Sequence, residues 1–177
     1  MKIDRLNSYY LNQIKYDLYL KFYFKNIYEI PKIVNINISI KKLKYKSKII
    51  FIFLFYLVLI LNQIFNLKFV SNKNLKSNSN KQNFNLLINL NKNNNNIFLD
   101  NLINFYLPNI KNFKILSKNT LINGNLNFKI NNLFDITKFK FNSLFNDQIF
   151  IINIKTTSLN NFLSYSLLSL YLLPIKY

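Results

Sequence analysis

The acidic residues of this chain stand apart from one another. Asp4, Asp17, Glu29, Asp100, Asp135 and Asp147 are the whole set, and no two fall at the spacing of a carboxylate pair or a cation loop. The chain has no His and no Cys. That excludes imidazole acid–base chemistry, thiolate nucleophiles and the usual zinc sites. A single glycine, Gly124, cannot build a glycine-rich phosphate loop. No catalytic, cofactor-binding or metal-ligating set is expected, and the chain does not read as an enzyme. The residues that could do chemistry are the cations. Lys and Arg number 24 against six acids, a formal net charge of +18. Such a chain repels itself unless a polyanion covers it, and nucleic acid gains binding free energy by releasing condensed counterions.

The cations and amides occur in patterns. Lys41, Lys42, Lys44, Lys46 and Lys48 form a dense basic cluster. Just before it Ile36, Ile38 and Ile40 alternate with Asn35, Asn37 and Ser39, a half-buried strand whose second face donates and accepts hydrogen bonds. Asn89 and Asn91 share a face in a strand over 86–91, and a further strand over 149–157 carries Asn153 and Thr156. Asn amides offer donors and acceptors to sugar hydroxyls and base edges, while Lys supplies charge at phosphates. The expected RNA-facing residues are Lys32, Asn35, Asn37, Ser39, Lys41, Lys42, Asn89, Asn91, Asn153 and Thr156. The plain reading of each single Asn is codon bias. Ala is absent, Arg5 is the only Arg, and Lys, Asn, Ile, Phe, Leu and Tyr dominate, as in an AT-rich genome.

The elements that position these residues read as follows. Leu6, Tyr10, Ile14 and Leu18 predict a helix over 3–24. Residues 97–107 read as a helix stopped by Pro108, after a turn at 93–96. Strands are expected near 125–130 and 138–141, and an amphipathic helix over 159–172. Residues 66–85, polar and basic, predict a long exposed loop. With no regular βαβ alternation, the fold class expected is α+β, a largely antiparallel sheet with helices packed on one face and long basic loops. One domain over 1–177 accounts for the length. The run IIFIFLFYLVLIL, 49–61, is shorter than the about 20 apolar residues of a spanning helix. An alternative reading still makes the chain a small basic membrane protein anchored near 49–67, with the lysine cluster as its flank. The N-terminal segment has no apolar h-region and few cations, so neither a signal nor a transit peptide is expected.

The order of segments resembles the large-subunit ribosomal protein L-five family, the bacterial-type 5S rRNA binder. Tyr9-Tyr10, then Ile30-Pro31-Lys32-Ile33 and the strand to Ile40, are similar to that family's Y-Y helix, V-P-R-V and L-N-M-G strand. Asp100-Asn101-Leu102-Ile103 and Leu107-Pro108-Asn109-Ile110-Lys111-Asn112-Phe113 resemble E-R-L-I and V-P-R-I-R-D-F. Leu116-Ser117 follows as G-L-S does, and Gly124-Asn125 as G-N-Y-S-M-G. Ile154, Thr156 and Thr157 fit I-T-T-T, and Leu173-Pro174-Ile175 fits F-P-F. The matches are colinear over nearly the whole chain.

The resemblance implies a structural constituent of the large ribosomal subunit. Its partners would be 5S rRNA and large-subunit rRNA in the central protuberance, P-site tRNA, and other ribosomal proteins including one of the small-subunit head. No membrane partner and no homo-oligomer are implied. The tRNA-facing loop T-K-A-R-K-S looks like 72–77 here, which carries Lys73, Lys76 and Ser77; Lys81 lies beyond it. The family's strand Asn falls at Ser39, the Thr and Arg of its T-L-R strand at Asn89 and Asn91, and the Asp of its G-x-D is replaced within Ile149-Phe150-Ile151. In this frame 47–66 takes the place of a packed helix, its small residues exchanged for Phe, Leu and Ile. Composition and the absence of an import signal point to an organelle-encoded protein of a mitochondrial ribosome, with a plastid as the other possibility. A free RNA-binding module outside the ribosome is the remaining reading.

Overall fold

The computed structural model describes residues 5–43, 54–55, 57–58, 66–71, 84–90, 92–110, 115–131 and 149–176. The first helix has three parts: α1 (Arg5–Tyr9), a π-helical turn (Tyr10–Ile14) and α2 (Lys15–Phe22). Its inward residues recur every four positions, at Leu6, Tyr10, Ile14 and Leu18. A regular α-helix would carry a four-residue repeat about 40° around its axis at each step. The π turn winds more slowly and holds the stripe on one side. The same solution appears later in the chain. Helix α3 (Lys92–Asn101) passes through a π turn (Leu102–Tyr106) into the short α4 (Leu107–Asn109), and Phe98, Leu102 and Tyr106 are all buried.

Two expectations are corrected here. The turn read at 93–96 is helical: four consecutive Asn lie inside α3, where Asn95 is buried and donates through Nδ2 to the Val34 carbonyl at 3.2 Å. That tertiary bond overrides the weak helix propensity of Asn. The loop read over 66–85 is corrected at both ends, because Asn66–Ser71 form strand β2 and Phe84 and Asn85 open a further strand. The alternation of Leu67 and Phe69 with Asn66 and Lys68 was the signal, hidden by the polar composition around it. Residues 72–83 and the strand read near 138–141 lie outside the described residues.

The remaining strands are β1 (Ile33–Leu43), β3 (Phe84–Asn89), β4 (Leu116–Ser117), β5 (Leu121–Ile122), β6 (Asn125–Asn131), β7 (Ile149–Thr156) and β8 (Ile175–Lys176); α5 spans Asn161–Leu170. Six strands form one sheet in the order β2-β3-β1-β7-β6-β5, while β4 and β8 pair in parallel. The pairings β1–β3, β2–β3 and β5–β6 are antiparallel, and the fold is α+β as the sequence predicts. Between Ile40 and Leu43 the register of β1 against β3 shifts, a bulge at Lys41-Lys42.

The chain divides into two compact units. Unit one comprises Met1–Ile36, Asn91–Phe128 and Asn153–Tyr177; unit two comprises Asn37–Leu90 and Lys129–Ile152. In unit one the core gathers Ile14, Leu18, Ile36, Leu102, Leu126, Ile154 and Leu167, each fully buried. In unit two Ile38, Ile40, Leu57, Leu86, Ile88 and Ile152 are buried. Of the long apolar run, Leu54, Phe55, Leu57 and Val58 are described and helical. Its proposed C-terminal end is not: Asn66 and Leu67 belong to β2.

Candidate nucleic-acid interface

Strand alternation sorts the side chains. On β6 Leu126, Phe128 and Ile130 point inward, which leaves Asn125, Asn127, Lys129 and Asn131 on the other face. On β7 Phe150, Ile152 and Ile154 are buried, and Asn153 and Lys155 take the second face. Among the described residues no strand contains an acidic residue, whereas Lys41, Lys42, Lys68, Lys129, Lys155 and Lys176 all lie in strands. These faces therefore carry amides and ammonium groups, interspersed with Ile149, Ile151 and Leu87, and among the described residues no strand adds a carboxylate to repel phosphate.

In unit one the Asn153 Nδ2 donates to Asn127 Oδ1. The Asn153 Oδ1 is buried and has no hydrogen-bond partner. Lys32 is exposed and its backbone is fixed: its N–H donates to Thr157 Oγ1 at 3.1 Å, and its carbonyl accepts from Thr157 N at 3.0 Å. Asn35 lies half-buried, and its Oδ1 accepts from Ile36 N at 2.8 Å, a local use of the amide.

Thr156 departs from the expected role. Its hydroxyl donates to the Gly124 carbonyl at 2.7 Å and lies 2.9 Å from Ser164 Oγ. Ser164 Oγ in turn lies 3.2 Å from Ser158 Oγ. These bonds turn Thr156 toward the hairpin and α5. It locks the fold together, and its hydroxyl is not presented to solvent.

In unit two the register pairs three asparagine positions across adjacent strands. Asn37 of β1 faces Asn89 of β3, which on its other side faces Asn66 of β2. One step along, Ser39 faces Leu87, and Leu87 faces the exposed Lys68. Asn37 Oδ1 is buried without a partner. Asn66 and Lys68 were missed in the sequence because β2 was read as loop. Asn127 and Lys155 were passed over because alternation alone does not rank one amide above another. Lys41 and Lys42 are placed by their backbone at the β1 bulge. Asn91, Lys73, Lys76, Ser77 and Lys81 lie outside the described residues.

Among the described residues no group of three or more Asp and Glu comes together as a cation site. The sole Arg is taken: Arg5 pairs with Asp100, whose Oδ1 also accepts from Asn104 Nδ2 at 2.7 Å. The bond to Asp100 raises the Arg5 pKa further. The arrangement can bind a polyanion and hydrogen-bond to it. Comparison with family models and with curated protein sequences finds no match.

Proposed function

We propose that this chain is a structural, RNA-binding protein of the large ribosomal subunit, working without catalysis. The observation that carries the reading is the charge and polarity of the strand faces. Asn and Lys occupy positions opposite a fully apolar face, no strand among the described residues contains an acid, and the whole chain carries +18. Lysines neutralise phosphate, while the amides address sugar hydroxyls and base edges in a wide RNA minor groove. The colinear resemblance to the L-five family supports the finer reading: rRNA of the central protuberance (5S rRNA where the ribosome has one), P-site tRNA and the small-subunit head as neighbours, in a mitochondrial ribosome.

The membrane alternative gains no support. Among the described residues no helix is long and apolar enough to cross a membrane, Leu57 is 1% exposed, and the segment from Asn66 is a paired strand.

Sedimentation of detergent-solubilised organelles through a sucrose gradient, with this chain followed by mass spectrometry, tests the proposal. Co-migration with large subunits, lost on stripping with EDTA and high salt, is the expected result. Recovery only in membrane fractions, away from rRNA, would overturn it.

A further inference from the structure

Gly124 is the only glycine of the chain, so Asn123 is the only asparagine that precedes one. An asparagine amide before glycine is labile, because no side chain on the next carbon hinders approach of that residue's nitrogen to the asparagine Cγ. Here the fold imposes the pair. Asn123 and Gly124 form the turn between β5 and β6, where Leu121 pairs with Leu126 and Ile122 with Asn125. Both have positive φ, +49° and +76°, which Asn and Gly adopt at least cost. Asn123 is exposed, so water reaches its amide.

The same fold pins the nitrogen that would react. The Gly124 N–H donates to Asn161 Oδ1 at 2.8 Å, and the Gly124 carbonyl accepts from Thr156 Oγ1 at 2.7 Å. Ring closure onto Asn123 Cγ requires that nitrogen to lose its proton and turn toward the Asn123 side chain. An amide oxygen accepts a hydrogen bond but does not take the proton. Asn161 therefore keeps the Gly124 nitrogen protonated and aims its N–H at α5. The start of α5 does not need the Asn161 side chain, because Asn160 caps it: Asn160 Oδ1 accepts from Phe162 N at 2.9 Å.

We propose that Asn123 is a deamidation site that Asn161 keeps latent and that reacts when the hairpin opens. Gly124 N gives its proton to hydroxide and bonds to Asn123 Cγ. The bond from Cγ to the amide nitrogen breaks, and ammonia leaves with a proton taken back from water. Water then opens the cyclic imide. Opening at Cγ leaves aspartate, and opening at the main-chain carbonyl leaves isoaspartate, whose chain runs through the former side chain. Isoaspartate adds an atom to the main chain of a turn whose glycine already lies against the Ser158 carbonyl, so the hairpin does not close as before. The proposal does not rest on RNA binding by the strand faces.

The test incubates the purified full chain in mildly alkaline buffer, with and without denaturant, and follows each Asn by peptide mapping and mass spectrometry. In denaturant Asn123 is expected to convert ahead of every other Asn, with isoaspartate among the products, and in native buffer to convert far more slowly. Asn161→Ala should speed the native reaction about tenfold, the effect of losing one hydrogen bond that closes the site. Asn161→Asp keeps an oxygen acceptor and should restore the slow rate. Hydrogen exchange of the unaltered chain supplies a second measurement that needs no variant: the Gly124 N–H should be protected, and its exchange should quicken together with deamidation as denaturant is added. Equal rates at Asn123 in native and denatured chains would overturn the proposal. So would an unprotected Gly124 N–H, another Asn converting first in denaturant, or Asn161→Ala reacting no faster than the unaltered chain.

Discussion

A Cβ added at Gly124 would lie 1.6 Å from the carbonyl oxygen of Ser158. The only glycine of the chain thus sits where the β5–β6 hairpin meets the backbone that leads into α5. Asn123 and Gly124 have φ of +49° and +76°, as a two-residue type I′ hairpin requires. The Gly124 N–H donates to Asn161 Oδ1 at 2.8 Å, and its carbonyl accepts from Thr156. Gly124→Ala is expected to destabilise the chain by well over the ~1–2 kcal/mol of left-handed backbone strain alone, because the opposing atom is backbone and cannot swing away. Denaturant unfolding of the isolated chain measures it; a loss within that range would mean that the two segments separate freely.

Thr156→Val keeps the shape of the side chain and removes the hydroxyl that joins Gly124 to Ser164. The Gly124 carbonyl then loses its donor in a part-buried site. A loss of about 1–3 kcal/mol is expected, again by denaturant unfolding.

Helix α5 ends in a Schellman arrangement: Leu173 N–H donates to the Leu168 carbonyl at 3.2 Å, and Leu172 N–H to the Ser169 carbonyl at 2.9 Å. Leu172 holds the left-handed position, φ +64°, and is exposed. Glycine is the usual occupant of that position. Leu172→Gly is therefore expected to raise stability by up to ~1 kcal/mol, read as a higher melting temperature.

Burial pushes the Tyr106 hydroxyl up to about 12 and raises Tyr171, which stacks on Tyr10 with the rings 6.3 Å apart and 3° from parallel. Tyr10 is raised as well, and its hydroxyl donates to the Pro31 carbonyl at 3.1 Å. These groups are neutral when folded and ionise more readily when unfolded, near pH ~10. Their contribution is present in full below pH ~10 and is lost as pH climbs toward about 12. Melting temperature should fall steeply across that window. Tyr106→Phe and Tyr171→Phe should each flatten the fall.

Asn37 Oδ1 is a buried acceptor without a donor. Replacing it by an apolar side chain of similar volume removes the cost of leaving it unpaired, about 1–3 kcal/mol. Asn37→Leu is expected to stabilise the isolated chain and to weaken its binding to RNA in a filter or anisotropy titration. The salt slope should stay as it is, because no phosphate contact is lost. Neutralising Lys155 should leave stability nearly unchanged, weaken RNA binding and make that slope shallower, because a phosphate contact is lost.

The sequence by itself determined the charge, the exclusion of imidazole and thiol chemistry, and the binary pattern. Ile36, Ile38 and Ile40, or Leu126, Phe128 and Ile130, state at a period of two which face is inside. The helix of Leu6, Tyr10, Ile14 and Leu18 was equally plain. That its four-residue repeat demands a π turn became visible only once the stripe had to meet a fixed core. Tertiary structure decided everything that depends on partners distant in the chain. Asn95 is helical because Val34 offers it an acceptor. Thr156 turns inward because Gly124 and Ser164 stand beside it. Asn37, Asn89 and Asn66 become one row only when three strands come into register. A local pattern fixes which way a side chain faces, but the hydrogen-bond partner that gives it a role is set by the pairing of strands and helices far apart in sequence.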